Sequence, residues 1–558
     1  MNIIDILITR AEADPDKPAY IYLEDGEIKE RILTFKDVER VATGIGGHLV
    51  NRNETACILI FEAGLDFVKS FWACLWAGKK AVPVSFPVRK RGFQPLARLI
   101  ADIGNVLFLT NRASYQKMQR QFGSHPAFTE NAWLLTEDLE IAPVPIPAAV
   151  LKGSDIAILQ YTSGSTGSPK GVMVSHDNVL HNVAFIQRTF GLTSETVGVT
   201  WLPHFHDMGL VDGFVEPVFS GFTRVFLSPV HFAEQPARWL KAISRYRAHY
   251  SGGPNFAYDL CVARITDEQL ASIDLMDMAY LYNGAEAIHQ HTLENFARRF
   301  ADNGYRADKM VTCYGMAETT LAVCFSPRGK TAPTVALNQE QYRNGTIEIE
   351  PDSRLIKVSS GTPPDDVVVK IVEPTTGREL GAMQIGEIWT QSPSVCQGYW
   401  KKERENADIF CAKIDGQPGS FLRTGDLGFL SEGALYITGR HKDLIIYHGV
   451  NYYPDDLEAS LSRFVEIHGV SSAAFSVDNG SNEKIVIVSE VSRSALKDLN
   501  KDALIAAIKH EIFSEFALPV SDIVLVTPRS LPKSTSGKIQ RKQCKNLYLA
   551  NQLNRLNS

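Results

Sequence analysis

None of the eight cysteines (57, 74, 261, 313, 324, 396, 411 and 544) stands in C-x-x-C spacing. This excludes a thioredoxin-type redox motif and paired-cysteine zinc sites, and the thiols read as reduced and mostly buried. No stretch approaches the about eighteen uninterrupted apolar residues of a membrane span. Residues 1–20 carry acids early, with no basic segment ahead of an apolar core, so no signal peptide is expected and the chain reads as cytoplasmic. Long Lys/Arg tracts are missing before the C-terminus and the formal net charge is −6, which argues against bulk nucleic-acid binding. Neither H-E-x-x-H nor the Walker A order G-x-x-x-x-G-K-[ST] occurs.

What is present is enough for more than one domain: 558 residues, 44% of them hydrophobic. Thr55–Phe61 and Lys80–Val84 read as buried strands with a helix, Leu65 to Trp76, between them. That β-α-β alternation predicts a mostly parallel α/β sheet. From residue 155 a short apolar run four times ends in polar residues: Ile156–Tyr161, Val197–Leu202, Met278–Tyr282 and Met310–Cys313. Ligands collect beyond the carboxyl ends of parallel strands, so the four following loops suggest one shared site. Residues 331–362 break the pattern, with 346–350 alternating like a surface strand or hairpin. The charged, glycine-led Gly439-Arg440-His441-Lys442-Asp443 has the composition of a hinge. The expected organisation is a large N-terminal domain, 1–438, and a small α+β domain, 444–558.

The loop Tyr161-Thr162-Ser163-Gly164-Ser165-Thr166-Gly167-Ser168-Pro169-Lys170-Gly171 is suited to phosphate. Glycines let backbone N–H groups approach oxyanions, hydroxyls donate further bonds, and the lysine adds charge. A flexible Gly/Ser linker has similar composition, but the fixed order with Pro and Lys after the second glycine favours a phosphate cradle. Ser175 reads as the N-cap of a helix running to Phe190.

With this loop, Tyr314-Gly315-Met316-Ala317-Glu318-Thr319, Arg423-Thr424-Gly425-Asp426-Leu427-Gly428, Gly439–Asp443 and Pro532–Arg541, the chain resembles the adenylate-forming superfamily end to end. Trp201–Leu210, Gly252–Tyr258, Leu281–Glu286, Gly449–Glu458 and the element at 331–362 are most similar to its fatty acyl-AMP ligases. The resemblance implies a large multi-subdomain α/β domain with a small mobile C-terminal domain turning near Lys442. It implies ATP and Mg²⁺ as cofactors, a fatty acid substrate, and acyl transfer to the phosphopantetheine arm of an acyl carrier protein. No nucleic-acid or integral membrane partner is expected.

Carried over residue by residue, Thr162, Ser163, Gly164, Ser165, Thr166, Gly167, Lys170 and Thr319 would hold phosphate. Ala285, Glu286, Cys313, Tyr314, Gly315 and Met316 would line the adenine slot, with Tyr314 stacking on the base. Asp426 would take the ribose hydroxyls and Arg440 reach ribose or phosphate; Glu318 would help hold Mg²⁺. His206, Met208, Gly209, Gly253 and Phe256 would border the acyl chain, the two glycines leaving room for it. Lys538 would follow the charge developing between carboxylate and α-phosphate, with Glu318 and His206 beside the chemistry. The inserted element would limit rotation of the small domain, and shortening it would leave adenylation intact.

Each residue also has a plainer reading: Glu318 at a helix start, Asp426 in an Asx-turn, Tyr314 as core, and Lys538 in a solvated basic tail with Lys533, Arg541, Lys542 and Lys545. The nearest rival function is a fatty acyl-CoA synthetase using free coenzyme A. His204-x-His206-Asp207 leaves open a metal-dependent hydrolase. An amino-acid adenylating enzyme and a non-catalytic ATP-binding protein fit less well.

Overall fold

The computed structural model describes residues 1–87, 93–139, 151–162, 169–464, 466–467, 470–478, 483–534 and 537–556. Among them one six-stranded sheet runs, in spatial order, Ala132–Leu135, Val106–Thr110, Ala56–Ile60, Lys80–Val84, Ile156–Thr162 and Lys170–Ser175. Five strands are parallel and the last returns antiparallel, pairing Thr162 with Lys170. Ala56–Ile60 is buried at every position, as an unbroken apolar run covered on both faces must be. The helix between it and Lys80–Val84 is Leu65–Trp76.

A second, eight-stranded sheet has a parallel run through Met310–Gly315, Tyr280–Asn283, Tyr250–Gly253, Val197–Thr200, Thr223–Phe226 and Pro18–Leu23. Antiparallel strands Ala322–Phe325 and Glu30–Thr34 close its edges. The four polar loops therefore come from two sheets, not one. The helix His176–Phe190 joins their cores: Val179 and Val183 pack in one cluster, Phe185, Ile186 and Phe190 in the other. Ser175 caps it in a capping box with Asn178. The short strand Lys170–Ser175 between loop and helix is an element that sequence periodicity did not reveal.

A third sheet, six strands and all antiparallel, spans Thr334–Ala336 to Ala434–Arg440. Its first two strands, Thr334–Ala336 and Ile356–Gly361, flank the helix Gln339–Arg343. The expected strand over 346–350 is not formed; single bridges join Thr346 to Gln384 and Ile349 to Leu337. The alternation there has another cause: Ile347 packs in the core while Ile349 stays exposed. Past the turn His441–Asp443, a three-stranded sheet packs with the helix Lys501–Phe516. That cluster draws its buried members from between Ile445 and Leu525. No helix among the described residues is long and apolar enough to cross a membrane.

Candidate active site

The loop after Met310–Gly315 is bent by backbone geometry. A Cβ on Gly315 would run into the Leu321 carbonyl, to which the Met316 N–H donates at 2.9 Å. Thr320 sits at φ 67°, ψ −56°, and the Leu321 N–H donates to the Thr319 carbonyl at 2.7 Å. This is the rarer, strained form of γ-turn, held in place from outside. Thr320 Oγ1 donates to the Ser394 carbonyl at 2.8 Å, and the buried Asn182 amide donates to the Thr319 and Ala322 carbonyls. Glu318 is presented with one oxygen fixed by Tyr399 O–H at 2.7 Å, and burial raises its pKa above the usual range. The Tyr399 ring lies 4.7 Å from Lys170 Nζ, which also pairs with Glu405. Tyr399 thus joins the expected metal acid to the phosphate-loop lysine, and nothing in the sequence marked it.

Asp426 lies at the next wall. Tyr314 O–H donates to one of its oxygens at 2.8 Å and Arg440 Nε pairs with the other at 3.2 Å. Gly425 reaches φ +72° there, and its N–H donates to Glu387, which also receives Arg423. Glu387 is a second support that sequence reasoning missed. Tyr314 is 7% exposed, its ring packed with Val323, Cys324 and Leu435. The ring offers little open face for stacking; its hydroxyl orients Asp426. Cys313 Sγ donates to the Asn283 carbonyl, and Ala285 stands at φ +74°, a strained position for a residue with a side chain. Glu286 opens to the cleft but is ringed by protein, and desolvation lifts its carboxyl to about 7 against the lowering field of Lys538.

The 203–207 loop meets the six-stranded sheet where Gln160 Nε2 donates to the Phe205 carbonyl at 2.8 Å. It continues into a wide π-helical turn, Met208–Val215, capped by Asp207 on the Met208 N–H. Buried Asp212 pins that turn, accepting from Tyr250 and Tyr282 hydroxyls at 2.8 Å each and pairing with buried Arg224. Two expectations fail here. The space beside Gly209 is filled by the Pro203 carbonyl, so its missing side chain allows a backbone crossing. The space beside Gly253 is taken by the Trp201 indole, 2.9 Å from where a Cβ would lie. Neither glycine leaves room for an acyl chain. Met208 packs at the edge of the second core, and Phe256 is 40% exposed, facing Trp201 edge-on and reaching toward Gly537. His204 is buried against Phe67, where burial and then His206 hold its pKa down to about 3. Among the described residues no group of three or more His, Cys, Asp or Glu could hold a metal ion, so the hydrolase reading has no ligand set there.

Lys538 closes the arrangement. Burial lowers its pKa, followed by the charge of Arg440; Asp207, Asp426 and Glu286 are its acidic neighbours. Lys442 is likewise lowered by burial, then by Arg440. Of the predicted residues, Glu286, Tyr314, Glu318, Asp426, Arg440 and Lys538 come together with Asp207, and Lys170 joins them through Tyr399; they are drawn from all three large sheets and the segment that carries Lys538. Ser163, Gly164, Ser165, Thr166 and Gly167 lie outside the described residues.

Two anions, a nucleotide and a carboxylate, can be brought together only where acids for sugar and metal face cations for phosphate, and that is the layout of an adenylate-forming enzyme. A family model described as AMP-binding enzyme matches residues 7–400, and one described as Disco-interacting protein 2-like, AMP domain, matches 442–558. The chain is 37% identical to the medium-chain-fatty-acid–[acyl-carrier-protein] ligase JamA of Moorena producens, over 98% of this chain and 95% of that one. It is 35% identical to the putative fatty-acid–CoA ligase FadD21 of Mycobacterium tuberculosis, covering 100% and 99%. A solved fatty acyl-adenylate ligase from L. pneumophila, in complex with acyl adenylate and pyrophosphate, superposes with TM-score 0.76 at 35% identity, covering 98% and 96%. The chain belongs to the AMP-binding enzyme family, and within it to the fatty acyl-AMP ligases.

Proposed function

We propose that this ligase activates a fatty acid with ATP and passes the acyl group to the phosphopantetheine thiol of an acyl carrier protein. A carboxylate oxygen of the fatty acid bonds to the α-phosphorus while the bond to the pyrophosphate oxygen breaks, releasing pyrophosphate. The thiol then bonds to the acyl carbon and AMP leaves. The observation that carries the first step is Lys538 beside Asp426, Asp207 and Arg440. A desolvated ammonium there gains in interaction as charge builds at the α-phosphate. Asp426, oriented by Tyr314 and Arg440, receives the ribose hydroxyls; Arg440 stays near enough to answer phosphate charge. Thr162 and Lys170 stand at the two ends of the phosphate loop, with Thr319 on the facing turn.

Mg²⁺ would fit one buried carboxylate that Tyr399 holds through a single oxygen, because this ion keeps waters and takes phosphate oxygens for the rest of its shell. Glu318, oriented by Tyr399, would hold it. Bound there, it would supply charge neutralisation to the phosphates. The domain reading, 1–438 turning against 444–558 about 439–443 with Lys442 at the pivot, serves the second step by exchanging what faces the adenylate. His206, Met208 and Phe256 remain the acyl-side residues.

The similarity to a protein bearing a coenzyme A ligase name supports a second reading, free coenzyme A as acceptor. Fatty-acid-dependent ATP–pyrophosphate exchange tests the first step. Offering holo carrier protein and coenzyme A to the preformed adenylate tests the acceptor. Thioester on the carrier alone is expected; equal thioester on coenzyme A would replace the carrier reading.

A further inference from the structure

The segment that carries Lys538 is held by short-range hydrogen bonds of its own. The Ser534 N–H donates to the Lys538 carbonyl at 2.8 Å, the Lys538 N–H to Ser534 Oγ at 3.1 Å, and the Gln540 N–H to the Pro532 carbonyl at 2.9 Å. Those bonds fix its form but not its aim. The next residue, Arg541, does more than sit in a basic tail. Its Nε and Nη2 donate to the two Glu458 oxygens at 2.7 Å each, Nη2 also to Asp455 at 2.6 Å, and Nη1 to Asp443 at 3.3 Å. Its side chain is only 12% exposed.

Asp455 and Glu458 belong to the helix Pro454–Ser460, and Asp443 ends the hinge turn. Asp456, beside Asp455, has different partners. It accepts from Tyr342 O–H at 3.0 Å and pairs with Lys357, which is 9% exposed. Tyr342 and Lys357 both lie in the element at 331–362. Arg343 of that element also donates to the Glu515 carbonyl at 3.1 Å. Ion pairs on adjacent residues of one helix, Asp456 with Lys357 and Asp455 with Arg541, thus connect the inserted element to a residue three positions from Lys538.

We propose that Arg541 is a positioning residue for adenylation, transmitting the seating of the inserted element to the hairpin that aims Lys538. The proposal rests on the adenylating reading above. A guanidinium is suited to this because its planar fork holds several carboxylates in fixed directions, which a lysine cannot do. Without it three carboxylates would face one another uncompensated, and the helix and hairpin would separate. On this proposal, unlike the expectation above, shortening 331–362 would remove Lys357 and Tyr342, loosen the aim of Lys538 and lower adenylation.

The test uses the full chain and fatty-acid-dependent ATP–pyrophosphate exchange, with single-turnover adenylate formation for slow variants. Arg541→Lys is expected to lower kcat by about 10²-fold, the scale of a catalytic group misplaced by about 1 Å. KM for ATP and fatty acid should stay within about twofold, and acyl transfer from supplied acyl-adenylate should persist. Lys357→Met should give a smaller loss, about tenfold, of the same kind. In a Lys538→Ala background neither substitution should lower the rate further, because both act through that ammonium. An equal loss in that background, or a rise in KM at constant kcat, overturns the proposal. If Arg541→Lys does not fold, Lys357→Met and Asp456→Asn, at the seam, decide it by the same criteria. Wild-type protein without any exchange overturns the function itself; exchange insensitive to these substitutions overturns only the role of Arg541.

Discussion

Lys170 and Lys538 are handled in opposite ways by the fold. Lys170 begins an edge strand, pairs with Glu405 and lies over the Tyr399 ring. Lys538 makes no ion pair among the described residues, yet it is desolvated among Arg440, Asp207, Asp426 and Glu286. A lysine with a counter-ion contributes a steady charge to whatever binds beside it. One held in a balanced field without a fixed partner gains most when new negative charge appears. The first suits binding and the second suits a transition state.

The sharpest way to break this contrast is Lys538→Ala. Adenylate formation should fall by at least about 10²-fold while transfer from supplied acyl-adenylate survives better. Equal loss in both half-reactions would erase the distinction between the lysines. Glu318→Gln probes the wall that Tyr399 shares with Lys170. The Mg²⁺ concentration giving half-maximal exchange should rise about 10-fold or more, by analogy with loss of metal-orienting groups; an unchanged Mg²⁺ titration would remove Glu318 from that role. Lys170→Ala should act mainly on binding, raising KM for ATP about tenfold with little change in kcat. A loss confined to kcat would make Lys170 resemble Lys538.

The smallest expected effect concerns stability on the acyl-side loop and the first core. Burial holds His204 at about 3 and His176 at about 4, against an ordinary 6.5. Each binds its proton more readily when unfolded, so stability is full above pH 6.5 and falls as pH drops through the window down to those values. The slope is up to about 1.4 kcal/mol per pH unit for each group. Thermal unfolding at pH 7.5 and 5 measures it, and His204→Phe should flatten the dependence. An unchanged dependence in that variant would mean His204 is not kept neutral by the fold.

The sequence made some parts of this molecule readable and hid others for definite reasons. The unit Ala56–Ile60, Leu65–Trp76, Lys80–Val84 was visible because elements buried on both faces leave long apolar runs. Ser175 was visible because a cap depends on residues close in sequence. Asp426, Arg440, Glu318 and Lys538 stood out through ordered motifs, but Tyr399, which holds Glu318, and Glu387, which holds the Gly425 turn, come from a loop and a strand elsewhere. The roles of Gly209 and Gly253 were misread because a glycine shows that space is needed, not what fills it. Arg541 was grouped with Lys542 and Lys545 by proximity, and only the fold turns it inward toward three acids.

The strained turn at Thr320 carries one more consequence. A backbone in that region costs about 1–3 kcal/mol, so it persists only while its surroundings insist on it. Here those surroundings are Asn182, on a helix between two cores, and the Ser394 carbonyl in a loop. Neither is among the residues expected to meet nucleotide or acyl chain. Neutral-looking replacements at Asn182 could therefore let the turn relax, swing Glu318 away and silence the enzyme while the protein remains folded. A search for inactivating variants confined to the ligand's immediate lining would pass over them.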